Sequence, residues 1–493
     1  MQEKPYSATV FCVLLGLSGA HAVMGRPNTE WVGSATAHFV VLTTDREEAG
    51  HAILERLEVA RQFFEKTGWA EPNGDQRVDI VAFGSDAEYN SYRFNPSAYA
   101  FYQRTPKGDY VVMRDLAPEH FSVAIHEYTH SVVEHSGLNL PLWLNEGLAD
   151  FYSTIECRQA KVLLGATPPG REQVLRGRRW MDWVTLTSAD QSSPYYRQPE
   201  KMMLFYAQSW AMVHMLAMDP AYADSFPKFV RAVSDGATTG AALFAVYHKT
   251  LQQMGDELVD YVGSKRLKAH WVNVDARPSA FETQPIADAG KRAEYALAEV
   301  LAANPETAGE AKARLAELTA KYPGDPRPEE SLGDLAMRAG SQKEAALHLS
   351  RAVSSHSQDP EVLFRLAYLK LGTDGPTDEV VALLQRVIAV DSTHYNALLE
   401  LGCTAAKRGK YELAVQTLEK LGQPKAEHAY VVSYTLAYCL IQLREGNQAR
   451  IYAESATKTA RGPKDHDEVA GLVRYIDQEL PIEAPNRTQV ASR

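Results

Sequence analysis

The chain has 493 residues, 45% hydrophobic and 23% charged, with a formal net charge of −11. That is an ordinary globular composition, long enough for two or three domains. The acidic balance and the lack of a long basic run argue against a nucleic-acid surface.

At the N-terminus, an apolar stretch from Ala8 to Ala20 follows Lys4 and leads into Ala20-His21-Ala22, which resembles a cleavage signal. Residues 1–22 therefore read as a secretory signal peptide, and the protein as exported, periplasmic or extracellular. Glu3 beside the single lysine leaves a weak N-terminal anchor as the alternative. No other segment is apolar enough to cross a membrane, so no stable span is expected once the signal is removed. Cys12 would leave with it, and Cys157, Cys403 and Cys439 are too few and scattered for a disulfide framework. A Cys403–Cys439 bridge is conceivable, although buried free thiols are the commoner arrangement.

Residues 35–117 read as a small α/β lobe. His38 to Thr43 and Arg77 to Phe83 have strand character, and Glu47 to Thr67 has the period of an amphipathic helix. Ala98 to Arg104 and Asp109 to Arg114 form a predicted hairpin around Pro106-Lys107-Gly108. From Pro118 the periodicity turns helical, and residues 118–275 read as a helical lobe.

The first helix of that lobe carries His126-Glu127-Tyr128-Thr129-His130. Histidines four residues apart project from one helix face, so both imidazoles can converge on one metal ion while Glu127 points at the water it holds. A catalytic zinc site takes three protein ligands and keeps a fourth position open. Glu146, sixteen residues past His130 and beyond a break at Gly137 and Pro141, is the natural third ligand. Asp150 follows one turn later, where its carboxylate can accept the second ring N–H of a ligand histidine. Glu134 lies too far along the same straight helix to close a tetrahedron, and His135 points about a hundred degrees away from His130.

His126-Glu127-x-x-His130 with Asn145-Glu146-x-x-x-Asp150 resembles the gluzincin metallopeptidases, and Pro141-Leu142-Trp143-Leu144-Asn145-Glu146-Gly147 is similar to the second motif of the bacterial peptidase MA-like family. The resemblance spans residues 35–265. It implies one zinc ion held by His126, His130 and Glu146, with Glu127 as general base and Asp150 in support. It also implies a catalytic tyrosine on a later helix, which Tyr206 fits, sixty residues after Glu146 in Phe205-Tyr206-Ala207-Gln208-Ser209-Trp210. Its phenol could donate to the oxyanion of a tetrahedral intermediate. Tyr195 and Tyr196 are competitors for that role, but read as loop residues. In gluzincins an edge strand before the metal helix pairs with extended substrate, a role open to the predicted hairpin, as is plain support of the helix. The Gly-x-Met-Glu-Asn signature of the aminopeptidases is absent, so endopeptidase action is the expectation.

Between Cys157 and Met202 the chain resists any simple period. Residues 276–290 read as a linker, residues 291–480 as a repeat region and residues 481–493 as a tail. Leu332-Gly333, Leu366-Ala367, Leu401-Gly402 and Leu436-Ala437 recur at intervals of 34, 35 and 35, and Ala345, Ala414 and Ala449 follow their small residues by twelve. These are tetratricopeptide-like positions, with a degenerate earlier copy expected over Ala293 to Tyr322. The fold class expected is thus an α+β gluzincin-like metallopeptidase domain followed by an all-α tetratricopeptide-repeat solenoid. The function expected is zinc-dependent hydrolysis of a peptide or protein substrate, with a protein partner on the repeats. The alternative is a catalytically silent scaffold whose repeats bind protein partners.

Overall fold

The computed structural model describes residues 11–12, 30–68, 77–92, 98–158, 161–177, 179–264, 267–274 and 282–480. Apart from Phe11 and Cys12, the expected signal segment lies outside these residues, as does the expected tail. The chain divides into two compact units, Met1–Ala311 and Lys312–Arg493.

The strands of the first unit are β1 (Phe11–Cys12), β2 (Val32–Ala35), β3 (Phe39–Thr43), β4 (Val78–Ala82), β5 (Ala100–Thr105), β6 (Gly108–Met113), β7 (Glu156–Arg158), β8 (Lys161–Leu164), β9 (His270–Asn273) and β10 (Gln284–Pro285). Its helices are α1 (Glu47–Thr67), α2 (Asp86–Tyr89), α3 (Phe121–His135), α4 (Leu142–Ser153), α5 (Arg171–Gly177), α6 (Trp183–Ser188), α7 (Pro194–Arg197), α8 (Pro199–Met218), α9 (Phe226–Ser234), α10 (Thr239–Tyr247), α11 (Leu251–Gly263) and α12 (Ala289–Ala303).

Among the described residues, seven strands form one mixed sheet in the order β1-β5-β6-β4-β3-β2-β10, and β7-β8-β9 form a second. β3, β4 and β6 run parallel, and the remaining pairings are antiparallel. The predicted hairpin forms as β5 and β6, and the outer edge of β5 pairs with β1, Phe11 opposite Tyr102.

Strands β3, β4 and β6 are nearly continuous apolar runs because both faces of the sheet are covered. Phe39, Val41, Ile80 and Val111 face one core, which they share with α1 and α3. Their alternates Val40, Leu42, Val81 and Val112 face a second core, closed by Ala289, Ala293, Ala296, Leu297 and Val300 of α12. Helix α1 follows its charge pattern, with Glu47 and Glu48 at the positive end, Lys66 in the last turn and Gly68 ending it at φ 58°.

This corrects the expected boundary. Residues 276–290 were to be a linker and Ala293 the start of a degenerate repeat, yet β10 pairs with β2 and α12 packs on the sheet. Arg292 Nε and Nη2 donate to Asp79 of β4 at 2.9 and 2.8 Å, which ties α12 to the strands. An alanine-rich stripe at three-and-four spacing suits a sheet cover as well as a repeat helix, because both need close approach.

The second unit is helical. After α13 (Ala308–Lys321) come α14 (Arg327–Arg338) with α15 (Gln342–Ser354), α16 (Pro360–Asp374) with α17 (Asp378–Val390), α18 (Tyr395–Lys407) with α19 (Tyr411–Glu419), and α20 (Ala429–Gln442) with α21 (Gly446–Thr459), closed by α22 (Pro463–Glu479). The recurrent small residue lets each hairpin close. A Cβ at Gly333 would stand 2.5 Å from Leu349 Cδ2, and one at Gly402 would stand 2.4 Å from Leu418 Cδ2. Ala345, Ala414 and Ala449 are fully buried. These are tetratricopeptide-like hairpins, stacked in chain order. Cys157, Cys403 and Cys439 are free thiols, and no described helix is long and apolar enough to cross a membrane.

Candidate metal centre

Helix α3 packs its apolar residues Val123, Ala124, Ile125, Tyr128 and Val132 into the core beneath the sheet, so even its polar residues are buried. His126, Glu127 and His130 are each no more than 1% exposed. After His135 the chain turns through Gly137 at φ 65°, and Pro141 starts α4. Helix α4 is fixed in turn against α8. A Cβ at Gly147 would sit 2.6 Å from the Ser209 carbonyl oxygen and 2.7 Å from Val213 Cγ2, so the two helices meet backbone to backbone beside Glu146.

The result is a compact donor set. Ligand atoms of His126, His130 and Glu146 all lie within 4.8 Å of one another. Glu146 Oε2 is 3.2 Å from His126 Nε2 and 3.5 Å from His130 Nε2. Donors about 2.0–2.1 Å from a tetrahedral zinc stand roughly 3.3 Å apart, so these separations fit the ion.

Each donor also has a partner on its far side. His126 Nδ1 lies 3.0 Å from Asp150 Oδ1, and His130 Nδ1 donates to Asn145 Oδ1 at 3.1 Å. Both contacts engage Nδ1, so Nε2 is the ring nitrogen turned toward Glu146 and the one a metal would take on losing its proton. Tyr196 Oη donates to Glu146 Oε1 at 3.1 Å, which leaves Oε2 toward the histidines. Arg171 Nε and Nη2 donate to Asp150 Oδ2 and Oδ1 at 2.7 and 3.2 Å.

Without an ion, the surrounding carboxylates hold a second proton on His126. Burial alone would lower the His126 pKa, but hydrogen bonds to Asp150 and Glu146 outweigh it and raise it to about 10. Burial would raise the Glu146 carboxyl, yet His130 and His126 hold it below the usual range. Glu127 behaves oppositely. Its burial, helped by the Glu146 charge against the pull of His126, lifts its carboxyl well above the usual range. Neither Glu127 carboxylate oxygen has a side-chain hydrogen-bond partner among the described residues. With His126 protonated and Glu127 neutral, the charges of Glu146, Asp150 and Arg171 already balance in the metal-free group, so a dication would enter by displacing those protons.

The structure thus brings His126, Glu127, His130, Glu146 and Asp150 together. Tyr206, on α8, lies fully buried with its ring centroid 6.2 Å from that of His126. The reading of Tyr196 as a loop residue is corrected. Pro194 and the Ser193 side chain, which accepts from Tyr195 N, set up α7 and aim Tyr196 at the ligand. Glu134 stays outside, accepting from Arg104 Nη1 at 3.2 Å. Asn145 and Arg171 were given no role from sequence, and Tyr196 only that of a competitor to Tyr206. Asn145 was available as the neighbour of Glu146 in the quoted motif, but Arg171 had no signal of its own.

No family model matches the chain, and no curated protein matches it. Several solved structures align with part of it. YrrB, described as a TPR protein with an unusual peptide-binding site, covers 37% of this chain and 91% of its own at 14% identity and a TM-score of 0.30. A MamA fragment from Desulfovibrio magneticus RS-1 covers 31% and 93% at 17% identity and 0.24, and Pseudomonas aeruginosa PilF covers 45% and 91% at 18% identity and 0.27. The repeat architecture rests on the hairpins themselves.

Proposed function

We propose that the chain is a zinc-dependent hydrolase of peptide bonds whose helical repeats engage protein. One observation carries the reading: Glu127, fully buried and with no side-chain hydrogen-bond partner on its carboxylate, stands beside two histidines and a carboxylate at zinc-ligand separations. His126 and His130 through Nε2 and Glu146 through Oε2 would hold the ion. Zinc bound there would supply a water acidic enough to ionise near neutrality and would polarise the scissile carbonyl.

Glu127 takes the proton of the attacking water and passes it to the leaving amine, a role suited to a carboxyl made more basic by burial. Burial favours this proton transfer, since a carboxylate stripped of water is a stronger base. A phenol donating to the oxyanion would lower the barrier further, and Tyr196 and Tyr206, whose rings stack at 6.4 Å, are the two that flank the donor set.

The test is zinc content together with casein hydrolysis, comparing the full chain with Glu127→Gln. Zinc in both and cleavage by the unaltered chain alone is the expected result; absence of zinc from both would end the reading. The second unit favours another possibility, a silent scaffold, because its hairpins can hold a protein partner whether or not the first unit turns over substrate. Zinc in both without cleavage of casein by either, and partner binding unchanged by Glu127→Gln, would select the scaffold.

A further inference from the structure

Arg171 is a buried arginine that no step of the proposed chemistry uses, its side chain only 5% exposed. It opens α5 directly after Gly170, whose φ of 78° turns the chain inward. One side of its guanidinium holds Asp150 through both Nε and Nη2, and Asp150 Oδ1 faces His126 Nδ1. The carbon of the same guanidinium lies 5.1 Å from the ring centroid of Tyr206. Tyr206 stacks on Tyr196 at an interplanar angle of 28°, and the Tyr196 hydroxyl donates to Glu146 Oε1. Two routes therefore leave one side chain and end on two different metal ligands, one from each of α3 and α4.

We infer that Arg171 is the positioning residue of the metal centre: it sets the donor spacing of His126 and Glu146 together, and so fixes zinc affinity and coordination geometry. The inference rests on the metal reading given above. A planar, two-pronged, permanently charged group is required, because Asp150 must be gripped in plane while the guanidinium face meets a ring. Lysine offers the charge without the fork or the face. Arg171 also sets its charge against the buried Asp150 carboxylate before any ion arrives, and its two hydrogen bonds direct that carboxylate at His126.

The test uses the purified full chain, loaded with zinc or with cobalt(II) as a spectroscopic stand-in. Zinc affinity would be measured by competition with a chelator, and ligand geometry by the cobalt visible spectrum. The expected result is a ten- to hundredfold weaker zinc affinity in Arg171→Lys with an altered cobalt spectrum, the range seen when partners of metal ligands are removed. The effects of Arg171→Lys and Tyr196→Phe on affinity should also be non-additive, since both act on Glu146.

Should Arg171→Lys not fold, Arg171→Met combined with Asp150→Asn leaves no lone buried ion, and its zinc affinity and cobalt spectrum are then compared with those of Asp150→Asn alone. Folded Arg171 variants with zinc affinity within twofold of the unaltered chain and an unchanged cobalt spectrum would overturn the inference while leaving the metal reading intact. An unaltered chain that binds neither metal would overturn both.

Discussion

Tyr196 Oη and Glu146 Oε1 are 3.1 Å apart, and this hydrogen bond joins a four-residue helix to the carboxylate whose other oxygen faces both histidines. With one oxygen occupied, Glu146 is left with a single oxygen for an ion. Tyr196→Phe should therefore weaken zinc binding about tenfold or more, because the carboxylate can then rotate. Chelator competition checks this. Unchanged affinity, with turnover reduced, would instead place the phenol on the substrate.

Glu146→Ala should cost far more than Glu134→Ala. Removing one of three ligands abolishes tight zinc binding, whereas Glu134 is a half-exposed partner of Arg104 with little to lose. Metal content after dialysis compares the two. Equal loss in both would show that the third ligand had been misassigned.

Gly147→Ala should destabilise the first unit by about 1–3 kcal/mol through overpacking, since the added carbon meets the Ser209 carbonyl oxygen, part of a helix backbone that cannot swing aside. Glu146 is its neighbour, so zinc affinity should fall with stability. The seven tryptophans, the last at position 271, all lie in the first unit, so tryptophan fluorescence during urea unfolding follows that unit alone.

His214 gives a pH dependence. Burial holds its pKa down to about 4, against an ordinary 6.5, while Nδ1 meets the Tyr261 hydroxyl at 2.8 Å and Nε2 donates to the Gly165 carbonyl at 2.9 Å. The unfolded chain takes up a proton below about pH 6.5 and the folded chain only below about pH 4. Its stabilising share, about 3 kcal/mol, is thus fully present above pH 6.5 and is lost as the pH falls toward 4. His214→Gln should flatten that acid limb in the fluorescence assay; an equal slope in both chains would remove His214 from the account.

The helix spacing of the metal residues could be read because it is local. His126 and His130 are one turn apart, as are Glu146 and Asp150, and local periodicity survives whatever surrounds it. Strands β3 to β6 and helix α1 were legible for the same reason. Arg171 was not, since its partner Asp150 is reached only through the small sheet and the Gly170 turn, a long-range pairing that no period encodes. Tyr196 was hidden by a stretch whose short helices are set by caps rather than by hydrophobic repeat. Helix α12 misled because its small apolar stripe is equally good at meeting a sheet and a neighbouring helix.

That helix also decides where the chain can be cut. Severing it at 275, where the sequence suggests a joint, would strip β10 from the sheet edge and bare Val40, Leu42, Val81, Phe101 and Val112 to water. A fragment so trimmed should aggregate even though every metal ligand is retained. The smallest soluble piece carrying the metal centre must extend past Ala303, and a proteolytic nick in residues 275–281 need not release the two ends from each other.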